Sequence, residues 1–283
     1  MRIGRYQVSA VETGRFALDG GAMFGVVPKT LWEKQIPADD KNRIPMALRT
    51  LLIEEVGGTR KILVDTGMGS KWSDKMAAIY AVDHSQLTLE KSLQQKGLTT
   101  DDITDVLLTH FHFDHAGGAT RRDERGKLVP SFARARYWVQ RRNLELARAP
   151  SEKDRASYLT ENFTPLLEHG VLQFLDGPGP WAEGIELVLS DGHTLGMQLP
   201  RVFGPEGSVI YCADLIPTAA HVPVPWVMAY DNQPVLTIQE KKPLLAQAHE
   251  QGWVLFFEHD PYGPAARVQL TDKGYSAGDR VVL

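Results

Sequence analysis

The chain has 283 residues, of which 43% are apolar and 23% charged, and its formal net charge is −4. These proportions are typical of a soluble globular protein, and the mild acidity gives no electrostatic reason to expect nucleic acid or an anionic membrane as a partner. The single cysteine, Cys212, excludes an intramolecular disulfide. The N-terminus has no apolar segment of the export type, which favours a cytoplasmic protein.

Strand and helix signals alternate along the first half of the chain. Runs of apolar and β-branched residues predict strands, and turn residues at Gly57-Gly58 join two of these strands in a hairpin. The predicted strands cover residues 8–16, 48–55, 61–64, 103–108 and 135–139, and the predicted helices cover residues 87–96 and 141–149.

The second half repeats this order of strands followed by a helix. The predicted strands cover residues 171–175, 184–189, 198–203, 208–213 and 253–257, the predicted helix covers residues 235–251, and residues 266–283 form a final hairpin. Pro243 is expected to mark the start of that helix or a kink in it. The pattern predicts one domain over residues 1–283, with two mixed sheets packed face to face and helices outside.

A dense cluster of potential metal ligands begins where the predicted strand at residues 103–108 ends. His110, His112, Asp114 and His115 all fall within six residues. Imidazole and carboxylate together suit Zn²⁺ and its neighbours Mn, Fe and Co, and side chains two residues apart can project to one side of an extended loop. A surface histidine patch or a set of satisfied polar residues is the alternative, but this spacing favours the start of two adjacent metal sites.

Three further potential ligands come just after predicted strands in the second half. They are His193, Asp214 and His259, each at a strand end, where the sheet fixes a side chain and the loop exposes it. Taken singly, each is as well explained by a turn cap or a hydrogen-bonding residue. Taken with the first cluster, they complete a set of five histidines and two aspartates that predicts a dinuclear metal centre.

The order of these ligands along the chain resembles the metallo-β-lactamase superfamily. His-x-His-x-Asp-His is followed by Gly-His-Thr, an aspartate and a late histidine, and Asp65-Thr66-Gly67 matches the Asp-x-Gly element of that superfamily. The resemblance extends from about residue 60 to about residue 260. It implies an α/β (α+β) fold, the four-layer αββα metallo-β-lactamase sandwich.

The resemblance also implies a role for each ligand. Two divalent ions would be bound at neighbouring sites, with Zn²⁺ as the first choice and Mn, Fe or Co as alternatives. The residues concerned are His110, His112 and His193 for one ion, Asp114, His115 and His259 for the other, Asp214 as the bridge, and Asp65 as a residue behind the ligands that orients one of them or the bridging solvent.

Within the superfamily the chain is similar to the N-acyl-homoserine lactonase branch. The similarity lies in residues 110–118 and in the segments 24–29 and 213–217. Asp214 stands where the metallo-β-lactamases of antibiotic resistance carry a cysteine, which argues against an antibiotic-degrading enzyme. The branch implies opening of a lactone ester by a hydroxide that bridges the ions, as in quorum quenching. Asp114 and Asp214 would then be catalytic, and Asp114 would transfer a proton.

One position departs from the lactonase pattern. Some lactonases carry a tyrosine three residues after the bridging aspartate, where it polarises the substrate carbonyl, and this chain has Pro217 there. His221 and Tyr230 lie nearby in sequence and are the candidate catalytic residues that replace the tyrosine, with packing as the alternative for both. The apolar segments at residues 23–27 and 222–228 are candidates for the wall of an acyl-chain pocket.

Other functions are left open by the sequence. The methyl-parathion-hydrolase-like branch, a group of phosphotriesterases and arylesterases, uses the same metal core and also lacks the tyrosine at the position of Pro217. A thioester hydrolase is disfavoured because there is no basic cluster for an anionic thiol carrier. A non-enzymatic metal-binding module is disfavoured because no ligand is lost. The expected partner is a small apolar ester or lactone, without nucleic acid or membrane, and a homodimer is an open alternative to a monomer.

Overall fold

The strands form two seven-stranded sheets in a computed structural model that describes residues 1–283. In the first half of the chain they are β1 (Arg2–Ile3), β2 (Tyr6–Asp19), β3 (Arg43–Glu55), β4 (Lys61–Val64), β5 (Asp105–Leu107), β6 (Thr120–Arg122), β7 (Leu128–Pro130), β8 (Arg136–Gln140) and β9 (Leu172–Leu175). The first sheet has the order β1-β2-β3-β4-β5-β8-β9, and β4, β5, β8 and β9 are parallel. β6 and β7 pair separately as a hairpin.

The second sheet contains the remaining strands in chain order. They are β10 (Gly179–Ala182), β11 (Ile185–Ser190), β12 (Met197–Gly204), β13 (Gly207–Tyr211), β14 (Val254–Phe256), β15 (Ala265–Thr271) and β16 (Gly274–Val281). Neighbouring strands are antiparallel except for the parallel pair β13 and β14. Every strand predicted from the sequence overlaps one of the observed strands, and the final hairpin is present as β15 and β16.

Eight helices lie around the sheets. They are α1 (Gly20–Phe24), α2 (Lys29–Trp32), α3 (Asp74–Ile79), α4 (Leu89–Gln95), α5 (Phe113–Ala116), α6 (Arg141–Arg148), α7 (Thr164–Glu168) and α8 (Pro234–Glu250). Helices α4 and α6 contact the first sheet, and α8 contacts the second. A membrane-crossing helix is not among them, since none combines the necessary length with sufficient apolar character.

A shared apolar core holds the two sheets face to face. Val8 and Leu51 of the first sheet and Ile210 and Leu255 of the second are fully buried within it. Burial of one such side chain contributes about 1.5–3 kcal/mol to stability, so this layer is a main source of the free energy that holds the sandwich together. With helices outside both sheets, the architecture is the predicted four-layer αββα sandwich.

The helices differ from the prediction in two respects. The helix predicted over residues 235–251 is α8, which begins at Pro234, so Pro243 lies inside it and does not mark its start. Proline suits the first helical position because the N–H that it lacks would have no partner within the helix there. The helices α1, α2, α3, α5 and α7 were not predicted, because at four to six residues they are too short to show helical periodicity.

Two glycines after α5 allow a close approach of two backbone segments. A Cβ atom on Gly118 would lie 2.2 Å from the carbonyl oxygen of Thr66, and one on Gly117 would lie 2.2 Å from the carbonyl oxygen of Met68. A larger residue would therefore collide with main chain rather than with a flexible side chain. The contact places the loop that follows β4, including Asp65, directly against α5.

We expect Gly118→Ala to lower the free energy of unfolding by about 1–3 kcal/mol, because the added methyl group meets a backbone oxygen that cannot move alone. Gly57→Ala is the control, since a Cβ there meets no atom within 4 Å. Its positive φ should cost about 1 kcal/mol by itself. Urea unfolding followed by circular dichroism measures both variants, and equal losses would contradict the importance of the close approach at Gly118.

Candidate metal centre

Seven polar side chains converge at one edge of the sandwich, where β5, β11, β13 and β14 end. All seven are buried, with at most 7% of any of them exposed. They form two groups in which the donor atoms lie within 4.8 Å of one another: His110, His112, His193 and Asp214 in one, and Asp114, His115 and His259 in the other. The fold thus brings together all seven ligands proposed from the sequence.

Asp214 lies between the two groups. Its Oδ2 atom is 3.0 Å from Nε2 of His193 and 3.2 Å from Nε2 of His115, and its Oδ1 atom is 3.6 Å from Nε2 of His259. The preceding residue, Ala213, has a φ of 42°, in a region that few residues other than glycine adopt. This sharp bend after β13 directs the carboxylate of Asp214 towards both groups of ligands.

The ligand run that follows β5 has two parts, a segment without helix or strand at His110 and His112, as expected from the sequence, and a helical turn after it. His112 precedes α5, and Asp114 and His115 lie within its single turn. Successive side chains on a helix are rotated by about 100°, whereas those on an extended segment alternate between opposite sides. The turn explains how two consecutive residues, Asp114 and His115, both reach the second group of ligands.

The positions of the ring protons fit a bound metal. Nδ1 of His259 donates to the carbonyl oxygen of Ala47 at 3.0 Å, and Nδ1 of His115 faces Oδ2 of Asp65 at 3.0 Å. When both imidazoles are neutral, as metal binding requires, each has one N–H, and their Nε2 atoms, 3.4 Å apart, then face each other as lone pairs. Nε2 of His110 is also buried without a hydrogen-bond partner. A cation between these nitrogens would remove their repulsion, so the donor set fits divalent metal ions.

Four of the five ligand histidines are held from behind by another group. Oδ1 of Asp231 accepts from Nδ1 of His193 at 2.9 Å, and the hydroxyl of Thr109 lies 2.9 Å from Nδ1 of His110. Asp65, proposed from the sequence to orient a ligand, also accepts from the N–H and the hydroxyl of Thr109, each at 2.7 Å. Partners of this kind fix the tautomer and orientation of a ring, and losing one lowers metal affinity about 10–100-fold.

Sequence analysis missed some of these orienting residues. Glu258 is fully buried, and its Oε2 atom lies 2.8 Å from Nδ1 of His115. Its place directly before His259 is a signal that could have marked it. Asp231 gave no such signal, because it is 38 residues away from His193 and no pattern in the sequence connects the two.

Burial and charge pairing set the protonation of the ligands. Burial, reinforced by neighbouring imidazoles, holds the pKa of His110 and the pKa of His112 well below the usual 6.5, so both rings are neutral. Burial opposes a charge on His193, but Asp214 and Asp231 outweigh it and raise its pKa to about 9. A proton and a metal ion therefore compete for Nε2 of His193, and metal binding is expected to release protons.

Comparison with known proteins places this geometry in a family. The family model described as the metallo-beta-lactamase superfamily matches residues 49–259. The chain belongs to that superfamily. A probable metal-dependent hydrolase from Staphylococcus aureus has a solved structure that is 30% identical in sequence to this chain, with a TM-score of 0.87 and coverage of 100% of both chains.

Lactonases are also among the similar members of the superfamily. An N-acyl homoserine lactonase of Bacillus thuringiensis is 27% identical over 171 residues, which cover 59% of this chain and 60% of the lactonase. AidC, a dizinc quorum-quenching lactonase in complex with a product N-hexanoyl-L-homoserine, is 21% identical with a TM-score of 0.80, and the match covers 100% of this chain and 97% of AidC. The similarity to AidC shows that the two proteins share a fold. Family membership and the donor set together make this chain a metal-dependent hydrolase.

A cavity of about 320 Å³ opens directly above the metal centre. Five of the ligands lie in its floor: His112, Asp114, His193, Asp214 and His259. Its wall is largely apolar and includes Leu18, Met23, Met46, Phe113 and Met228, with Tyr80 and Tyr230 beside them. Two segments were predicted to form this wall. Of residues 23–27 only Met23 lines the cavity, and of residues 222–228 only Met228 does. Trp226 packs behind the wall against Phe24.

The two predicted catalytic residues outside the ligand set differ in position. Tyr230 lines the cavity. His221 is buried away from it, where Nδ1 pairs with the hydroxyl of Thr218 at 2.7 Å and Nε2 donates to the carbonyl oxygen of Met23 at 2.8 Å. Its ring also stacks on Phe24. Since both ring nitrogens are engaged and neither faces the cavity, the geometry gives His221 a structural role in supporting Met23 in place of the predicted catalytic one.

The buried ring of His221 should make the protein sensitive to acid. Burial lowers the pKa of His221 from 6.5 to about 4 in the folded chain. Below pH 6.5 the unfolded chain gains a proton on this ring, while the folded chain gains it only near pH 4. Stability present above pH 6.5 is therefore lost as the pH falls, by about 3 kcal/mol in total.

Between pH 7 and pH 4.5 the free energy of unfolding should decrease less in His221→Gln than in the unmodified protein. Urea unfolding at the two pH values measures this decrease. The metal-ligand histidines titrate in both proteins, so their contribution cancels in the difference. The same pH dependence in both proteins would show that His221 is not held neutral.

Proposed function

We propose that this metal-dependent hydrolase opens the lactone ring of N-acyl-homoserine lactones, a quorum-quenching reaction. The observation that carries the proposal is the apolar cavity placed directly on the two groups of ligands, so that a bound acyl chain would leave its polar head at the metal centre. Similarity in sequence to an N-acyl homoserine lactonase supports it.

The donor set would hold two divalent ions, one in each group, with Asp214 between them. Three histidines with a carboxylate and two histidines with a carboxylate are ligand sets that suit Zn²⁺, and Mn, Fe and Co are alternatives. When bound, such ions supply a Lewis acid for the substrate carbonyl and lower the pKa of water from 15.7 to about 7.

Asp114 is the residue proposed to move the proton. Its carboxylate lines the cavity and lies 3.6 Å from Nε2 of His259, at the edge of the ligand set that faces the substrate. As water adds to the carbonyl carbon, this carboxylate can accept the proton that is released and return it to the departing alkoxide. The alkoxide of a lactone stays attached to the acyl group, so the product is one hydroxy acid, an N-acyl-homoserine.

Tyr230 is the residue proposed to polarise the carbonyl, instead of the tyrosine that some lactonases carry at the position of Pro217. It lies on the cavity wall, and partial burial, with smaller contributions from Asp19, Tyr80 and Asp114, raises its pKa to about 12. The phenol therefore keeps its proton at neutral pH and can donate it to a carbonyl or alkoxide oxygen.

We expect the metal-loaded enzyme to hydrolyse an N-acyl-homoserine lactone with a kcat/KM about 100-fold or more above that for an aryl phosphotriester or a thioester.

His112→Ala should abolish turnover while the circular dichroism spectrum is unchanged, because it removes one ligand from the first group. His249→Ala is the control, since that histidine lies exposed on α8 and should leave the rates unchanged.

The same assay decides between lactone and phosphotriester. The absence of a tyrosine at the position of Pro217 favours a phosphotriesterase or arylesterase of the methyl-parathion-hydrolase type as the second candidate. A higher kcat/KM on the aryl phosphotriester would overturn the lactonase proposal and support this second candidate. Fewer than one ion per chain after expression with added metal would overturn both.

We expect Tyr230→Phe to lower kcat about 100-fold on the lactone with little change in KM, since a hydrogen bond to developing charge acts in the transition state. Tyr80→Phe is the matched control, because it removes a second phenol from the same cavity. Steady-state kinetics of both variants measure the effect. A larger loss of kcat in Tyr80→Phe would transfer the role to Tyr80.

A further inference from the structure

Residues 222–233, termed here the wall loop, contain no helix or strand. Within this loop Met228, Ala229 and Tyr230 line the cavity, and the next residue, Asp231, orients His193. A segment without helix or strand has few backbone hydrogen bonds of its own and is held in place by contacts with other parts of the chain. The shape of the cavity therefore depends on what fixes this loop.

Lys241 on α8 fixes the first part of the wall loop and the residue before it. Its Nζ atom donates to the carbonyl oxygens of His221 at 2.6 Å, Pro223 at 3.0 Å and Trp226 at 2.8 Å. All three N–H donors of an ammonium group are thereby used on backbone oxygens. One side chain on a rigid helix ties together residues that span the start of the loop.

The burial of Lys241 is unusual for a lysine. The side chain is 0% exposed and has no carboxylate within ion-pair distance, although lysine is almost never fully buried unless it is paired. Burial lowers its pKa to about 7, so the surroundings oppose the charge that the three carbonyl oxygens favour. An apolar residue would avoid this cost, which indicates that the three hydrogen bonds serve the loop rather than the core.

Lys153, which itself lines the cavity, fixes the second part of the wall loop. Its Nζ atom donates to the carbonyl oxygens of Tyr230 at 2.8 Å and Asp231 at 3.0 Å, and to Oδ1 of Asn232 at 3.3 Å. The amide of Asn232 in turn donates to Asp154 at 2.8 Å. Two lysines from different parts of the chain thus bind the two ends of the same loop, mainly through its backbone.

We propose that Lys241 and Lys153 are positioning residues that set the path of the wall loop and, through Met228 and Tyr230, the acyl-chain selectivity of the enzyme. The selectivity part of this inference rests on the proposed lactonase function. The positioning part rests only on the hydrogen bonds to the loop.

The test compares Lys241→Met with Lys242→Met, the neighbouring lysine that is exposed on the same helix. Hydrogen exchange of the metal-loaded proteins should be faster in residues 222–230 of Lys241→Met and unchanged in Lys242→Met. The ratio of kcat/KM for a long-chain and a short-chain N-acyl-homoserine lactone should change about tenfold, mainly through KM. A loss of folded enzyme cancels in this ratio, so a merely structural role would leave it unchanged.

Lys153→Met supplies a second variant at an exposed position, which decides the question if Lys241→Met fails to fold. It should speed exchange in residues 229–232. Only this exchange tests positioning by Lys153, because its side chain lines the cavity and its replacement would change the ratio directly. Unchanged exchange in the folded variants, with an unchanged ratio in Lys241→Met where it folds, would overturn the proposal. If the unmodified enzyme does not hydrolyse lactones, the proposed function fails, while the exchange measurement still decides whether the lysines position the loop.

Discussion

The metal centre depends on one constraint, which is that a ligand histidine must carry its single proton on the nitrogen that faces away from the ligand cluster. Some of the groups that impose this come from distant parts of the fold. Ala47 of β3, in the first sheet, accepts the proton of His259, which follows β14 of the second sheet. His259 is therefore oriented for metal only when the two sheets are packed against each other.

The cavity wall is connected to the metal centre through the wall loop. Asp231 holds His193 with one carboxylate oxygen and accepts from the backbone N–H of Met228 with the other, at 3.2 Å. Met228 lies on the cavity wall. A displacement of the wall by a substrate or a mutation would therefore be transmitted to a metal ligand through a single carboxylate. Variants of the wall are expected to differ in metal affinity as well as in substrate preference.

The sequence predicted the strands and the ligands better than the surroundings of the site. Candidate ligands such as His193 and Asp214 follow apolar runs that end abruptly, and this local pattern can be recognised from the sequence alone. Asp231 acts through space on His193, which is 38 residues away, so no local pattern marks it. Glu258, which acts on His115, differs because its place directly before His259 could have marked it. His221 was misplaced because nearness in sequence to the departure at Pro217 does not determine which way a ring faces.

The hydrogen bonds of Lys241 end on carbonyl oxygens, which every amino acid possesses. Substitutions along most of the wall loop would leave these bonds intact, because they change side chains and not the atoms that the lysine holds. The loop can therefore acquire a new set of cavity-facing side chains without losing its path over the metal centre. Because the path of the loop does not depend on its side chains, the loop is a suitable target for directed evolution of new ester or phosphoester specificities, with the metal centre left unchanged.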